Sequence, residues 1–270
     1  MRALLKLLYC ECLKLRRRPL FFAAPALSAL IPLGCALFLP DFREFTNGAQ
    51  AVDGMMSTLF QMSAYLLLMP TLVVLAANLF FAEQDNDTLK NLLTVPVSKS
   101  ALTMAKTALL FFFSIAFMAV GGLAVLAIVM AAGWEPVGFW RLFFVGIGEG
   151  ILMWAGALPC VLLVVLLNRS YIVSVVVTFF YTAVNYIFGM SDYFIMQPLG
   201  INPGTLLPGT LAFRWFFQYL DISDAGTEMA ELLERISPYF VTTSQAFLVI
   251  TIESAAFLIL IALVYKRQSC

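Results

Sequence analysis

The stretch AEQDNDTLKNLLTVPVSKS, residues 82–100, is a compact polar knot between two long apolar runs. Glu83, Asp85 and Asp87 open it, Leu89, Leu92 and Leu93 follow at i, i+3, i+4 spacing, and Pro96 and Lys99 close it. Asp85, Asn86 or Asp87 suits a helix N-cap, where a side-chain acceptor satisfies free N–H groups and an acid complements the helix dipole. Pro96 opposes continuation of the helix, because the residue before a proline avoids the α region. The expected element is a turn or two of helix over 88–94 with one apolar edge. Such an edge reads either as a plug for a groove in a soluble partner or as a solvated hairpin whose leucines dip into a membrane interface.

The surroundings place this knot beside a bilayer. The 270-residue chain is 62% hydrophobic and 12% charged, against about 45–50% and about 25% in a soluble domain. It reads as one all-α integral membrane domain, 1–270. A helix needs about 20 apolar residues to cross a hydrocarbon core of about 30 Å, and six runs qualify: 20–40, 57–82, 101–132, 142–167, 171–191 and 244–265. The sixth contains Glu253. An acid at a helix centre costs roughly 2.5–3.5 kcal/mol and each large apolar residue returns roughly 0.3–0.6, so insertion still wins.

The run 193–213 is also free of charge, but Pro198, Pro203 and Pro208 recur every five residues with Gly200, Gly204 and Gly209 beside them. Proline removes a donor and clashes with the preceding turn, and irregular backbone at membrane depth must be buried in protein or line a cavity. Segment 192–243 is therefore expected to be an outer re-entrant or interfacial segment rather than a seventh span. Its aromatic residues Phe213, Trp215, Phe216, Phe217 and Tyr219 suit a membrane interface, and Glu228, Glu231 and Glu234 follow on an acidic helix. Together they read as a receiving surface for a cationic amphipathic peptide or as an interfacial anchor.

Charge orients the chain. Six spans with both termini cytoplasmic leave only Arg43, Arg141, Arg214 and Arg235 outside, with every other basic residue inside, as the positive-inside rule requires. Residues 1–18 form a basic amphipathic helix: Arg2, Lys6, Lys14 and Arg18 lie on one stripe with Glu11 alongside. It lies in the headgroup plane or serves as a basic anchor that sets orientation. Glu149 and Glu253 fall within spans at comparable distances from the outer ends. Intramembrane acids are functional candidates by default, and the alternative is a protonated, hydrogen-bonded place inside the bundle. Gly146 and Gly150 permit close helix approach, and Pro32, Pro70 and Pro159 are expected to kink their helices.

Several chemistries are excluded. The chain has no histidine, so neither a Ser-His-Asp triad nor an HExxH zinc site can form. Its five cysteines contain no CxxC pair, and a lone DxD at Asp85 and Asp87 is weak evidence for a glycosyltransferase. No GxxxxGK[ST] occurs, so ATP is not bound by a P-loop here. Nothing supports nucleic-acid binding.

The chain resembles the export-type (type 2) ABC transporter permeases, the branch with bacitracin-export and lantibiotic self-protection subunits. Their pattern is an acid ending span two, a TLxxLLxxPVSR-like stretch and a lysine opening span three. Here these read Glu83, Thr88-Leu89-Lys90-Asn91-Leu92-Leu93, Pro96-Val97-Ser98-Lys99 and Lys106. An ExxKLxR start appears as Glu11-Cys12-Leu13-Lys14-Leu15-Arg16. Lys99 stands where arginine is usual, and Asp87 where glycine is common. The resemblance implies a cytoplasmic coupling loop at 83–99, with Glu83, Asp87, Thr88, Leu89, Lys90, Leu92, Leu93 and Pro96 meeting an ATPase. It also implies an elbow helix carrying Lys6, Glu11, Lys14 and Arg16.

The implied partners are two copies of a cytoplasmic P-loop ATPase, which hold ATP and Mg, and a second six-span permease chain. Membrane lipid and a peptide cargo complete the set, with Glu149 and Glu253 as candidates for the cargo path. The chain itself is expected to bind no cofactor and catalyse no reaction, and to sit in the bacterial cytoplasmic membrane. Another cargo (a bacitracin-like peptide, lipid or sodium) and an ATP-independent channel or scaffold are the competing readings.

Overall fold

The computed structural model describes residues 2–16, 19–38, 45–85, 98–167, 171–220 and 227–267. Among them the ordered elements are all helical. In chain order they are α1 (Arg2–Arg16), α2 (Pro19–Leu27), α3 (Leu30–Phe38), α4 (Gly48–Thr58), a π-helical stretch (Leu59–Leu68) and α5 (Met69–Asp85). The long helices α6 (Lys99–Ala131), α7 (Phe139–Leu167) and α8 (Tyr171–Gly189) follow. Then come the short α9 (Asp192–Ile195), α10 (Pro203–Leu206) and α11 (Pro208–Phe216), then α12 (Thr227–Ile236) and α13 (Thr243–Arg267), with 3-10 turns at Phe217–Tyr219 and Ser237–Tyr239.

Among the described residues, four helical stretches are long and apolar enough to cross a membrane: Gly48–Phe81, Lys99–Ala131, Phe139–Leu167 and Thr243–Arg267. Two shorter apolar helices, Ala23–Phe38 and Val175–Gly189, fall where the first and fifth spans are expected. The first is broken for a traceable reason. Pro32 has no N–H to give the carbonyl four residues back, which belongs to Ser28. The chain turns at Ser28 and Ala29, and the Ser28 carbonyl instead accepts the Ser63 hydroxyl at 3.2 Å.

The second stretch is longer than its apolar run. Asn47 caps it, its side chain accepting from Gln50 N at 2.8 Å, and the helix starts at Gly48 rather than near 57, with Asp53 buried. At its other end it runs through Asp85, so Glu83, Gln84 and Asp85 belong to the last turn of this helix and not to a separate loop. The expected kink at Pro70 takes the form of π-helix. Pro70 denies a hydrogen bond to the carbonyl of Leu66 and crowds it, and the ladder just upstream widens to five-residue spacing, with Met69 N–H on the Ala64 carbonyl. Ser98 caps α6, accepting from Ala101 N at 3.2 Å.

Helix α7 is the centre of the bundle, packing against α5, α6, α8, α11 and α13, while α1 and α2 pack on α6. Part of the connector between α8 and α13 lies inside the bundle, while Tyr193 and Ile201 on it are exposed. Every residue of α11 is buried, and the helix inserts against α7 and α8. Two glycines of α7 admit it. A methyl group added at Gly148 would lie 2.5 Å from Trp215 Cη2, and one at Gly156 would lie 2.5 Å from Pro208 Cβ. The aromatics expected at an interface are thus core: Phe213, Trp215, Phe216 and Phe217 are all buried, with Trp215 against Phe247 and Phe216 against Phe60.

Candidate functional site

The charged residues that meet inside this apolar molecule come from distant parts of the chain. On α1, Glu11 turns inward and is 2% exposed. Lys14, one turn on, donates to its Oε1 at 2.5 Å. From α6, Lys106 approaches Glu11 Oε2 at 3.6 Å and is itself fully buried. Its ammonium also donates to the carbonyl of Leu79 in α5 and lies 5.3 Å from the ring centre of Phe80. Phe80 in turn packs edge-on to Tyr265 near the end of α13.

One ammonium therefore ties α1, α5 and α6 together at the end of the bundle from which 86–97 departs. A buried cation with a carboxylate, a carbonyl and a ring face is fully engaged, and removal of one partner from a buried pair costs about 3–5 kcal/mol.

The other predicted residues of this region are placed as follows. Lys6 is exposed on α1, and Arg16 is its last helical residue. Glu83 lies in the last turn of α5. Asp87, Thr88, Leu89, Lys90, Leu92, Leu93 and Pro96 lie outside the described residues.

The two intramembrane acids occupy different settings. Glu149 is fully buried in α7, and neither carboxyl oxygen has a hydrogen-bond partner among the described residues. Glu253, on α13, is partly exposed and lines a cavity of about 250 Å3 with Ala155, Gly156, Pro159, Tyr181, Leu206, Pro208 and Phe257. The α7 residues sharing this cavity begin six positions after Glu149, about 9 Å along the helix at 1.5 Å per residue. The acids are therefore staggered along α7 rather than facing each other across one space.

Two residues given no role in the sequence reading hold the connector at this place. Asn185 on α8 accepts from Gly209 N at 3.2 Å. Tyr65, in the π-helical stretch, donates its hydroxyl to the Gly209 carbonyl at 2.5 Å. In the last turn of α11, Arg214 is 1% exposed, with Nε donating to the Tyr239 carbonyl and a terminal nitrogen to that of Gly204, both at 2.8 Å. Burial pulls its pKa below the ordinary guanidinium value. An arginine among prolines and aromatics was the available signal for this clamp, as an isolated lysine in an apolar run was for Lys106. Farther out, Arg235 pairs with Asp192.

No group of three or more His, Cys, Asp or Glu side chains suited to a metal occurs among the described residues. The sequence matches the family described as ABC-2 family transporter protein over residues 7–185, well over half of the chain. No curated protein matches it.

Proposed function

This chain belongs to the ABC-2 family of transporter proteins, and we propose that it is the permease subunit of an ATP-driven exporter that expels an amphipathic antimicrobial peptide, a lantibiotic, from the bacterial membrane. Membership makes it a membrane component of an ABC transporter and implies an ABC ATPase partner. The finer reading is of six spans with both termini cytoplasmic, α1 as an elbow helix and the segment that joins α5 to α6 as the coupling loop. Two ATPase copies bind ATP and Mg, and a second six-span permease chain completes the pore.

The observation that carries this reading is the junction at Lys106. A coupling segment transmits force only if its two flanking helices are joined to the rest of the fold. Here the helix entering the segment, the helix leaving it and the N-terminal helix share one buried ammonium. Glu149 and Glu253 are acids on candidate walls of the cargo path, suited to a cationic peptide.

The test is co-purification in mild detergent. A P-loop ATPase and a second six-span chain should copurify with the tagged protein, and cells lacking the chain should become sensitive to the peptide. Recovery of the chain alone, beside a control complex that stays intact, favours a channel or scaffold. Protection against bacitracin-like peptides instead of lantibiotics changes the cargo but not the machine.

A further inference from the structure

We infer that the cavity at Glu253 is a binding site for a single organic ammonium group carried on an apolar stem, an inference that rests on the permease reading and names the chemistry its cargo presents there. The lining residues are Ala155, Gly156, Pro159, Tyr181, Leu206, Pro208, Glu253 and Phe257, and no side chain among them is basic. Glu253 supplies a carboxylate. The Tyr181 hydroxyl spends its proton on the Gly156 carbonyl at 2.9 Å and its oxygen also meets the Asn185 amide, so it has no proton for a ligand and only its remaining acceptor capacity to offer. Pro159 lies inside α7 and has no N–H, which deprives the carbonyl of Ala155, four residues back, of its helical bond.

Three acceptors thus belong to residues of one small space whose other surfaces are Leu206, Pro208 and Phe257. A ligand complementary to them donates several hydrogen bonds, carries positive charge and is otherwise hydrocarbon. A primary alkylammonium has that form, with three donors and no acceptor.

Size and coordination narrow the choice. Pockets for drug-sized ligands span roughly 300–1,000 Å3, so about 250 Å3 admits one amine-tipped side chain rather than a folded peptide. A bare divalent ion is a poor fit, since calcium takes about six to eight oxygen ligands and magnesium demands near-ideal octahedral geometry. The site is also sculpted by the connector. Pro208 is seated on Gly156, and Gly209 is held by Tyr65 and Asn185, so movement of α11 changes the volume of the cavity.

The probe is a short alkylammonium bearing a diazirine, with its uncharged alcohol counterpart. Both are applied to the full chain, purified with its co-isolating partners, in nanodiscs of phosphatidylcholine and phosphatidylglycerol. The expected result is saturable labelling of cavity residues by the ammonium probe, displaced by octylamine. Labelling falls about tenfold or more in Glu253→Gln, because the neutral amide loses the charge-assisted bond to the ammonium, and recovers in Glu253→Asp, which also shows that the variants fold.

Equal labelling by the alcohol, or undiminished labelling in Glu253→Gln, overturns the proposal. Displacement by millimolar sodium with no effect of octylamine overturns it in favour of a metal ion. Loss of labelling when phosphatidylethanolamine replaces phosphatidylcholine supports the ammonium chemistry and makes a lipid amine its source. A chain that retains its ATPase yet takes no ammonium probe loses this site alone, and the permease reading stands.

Discussion

Lys106 of α6 lies 3.6 Å from the carboxylate of Glu11 in α1 while donating to the carbonyl of Leu79 in α5. In a bundle held mostly by dispersion between apolar side chains, this contact differs in kind, because its strength depends on charge and on exclusion of water. Lys106→Met should lower the stability of the detergent-solubilised chain by about 3–5 kcal/mol. In a double-mutant cycle with Glu11→Gln, the coupling should be about 0.5–3 kcal/mol. Thermal unfolding followed by fluorescence-detected size exclusion measures both. Strict additivity would mean that the two residues do not interact.

Leu89→Asp together with Leu93→Asp should separate ATP hydrolysis from export while the chain remains inserted. ATP turnover and peptide efflux in reconstituted vesicles report the two halves. Undiminished efflux removes the coupling role from the segment that joins α5 to α6.

Glu149 is fully buried and lacks a partner among the described residues, so Glu149→Leu should raise stability by about 1–3 kcal/mol through relief of an unmet desolvation cost. The same substitution should weaken peptide protection if the acid serves the cargo path. A variant that melts higher and still protects fully would assign Glu149 to packing history rather than transport. Glu253→Gln should weaken protection with little change in stability, since Glu253 already meets an open space.

Gly148→Ala places a methyl group against Trp215. Overpacking of this kind costs about 1–3 kcal/mol, and displacement of the indole should shift tryptophan emission. Gly34→Ala, where a methyl group meets nothing within 4 Å, is the matched control: it should raise stability by about 0.5–1 kcal/mol, since alanine favours a helix over glycine, and leave emission unchanged.

The long helices were legible because hydropathy and length report them directly, and α6 and α7 begin and end within three residues of their expected positions. The early start of α4 was not legible: Gly48 and Asp53 read as loop residues, and the Asn47 cap together with the contacts that bury Asp53 makes them helical. The aromatic run 213–219 was misplaced for a related reason. Its composition fits a membrane interface, and nothing local tells that the missing side chain of Gly148 makes room for Trp215. Glu11 and Lys106 were each visible as charges in apolar surroundings. Their meeting was not, because α2, α3, α4 and α5 intervene in sequence and the pairing exists only once the bundle forms.

The π-helical stretch at Leu59–Leu68 gives the second apolar column a gear. A ladder of five-residue spacing rises less and turns less per residue than the α-helix, which advances 1.5 Å and completes a turn every 3.6 residues. Tightening of those ten residues to α-helical spacing would push the two ends of the column apart and rotate α5 about its own axis. Leu79 and Phe80, which ride on α5, would then be screwed past Lys106, and Tyr65, which lies inside the stretch, would swing away from Gly209. Shortening and lengthening of one column would thus be felt at once at the charged junction and at the buried connector.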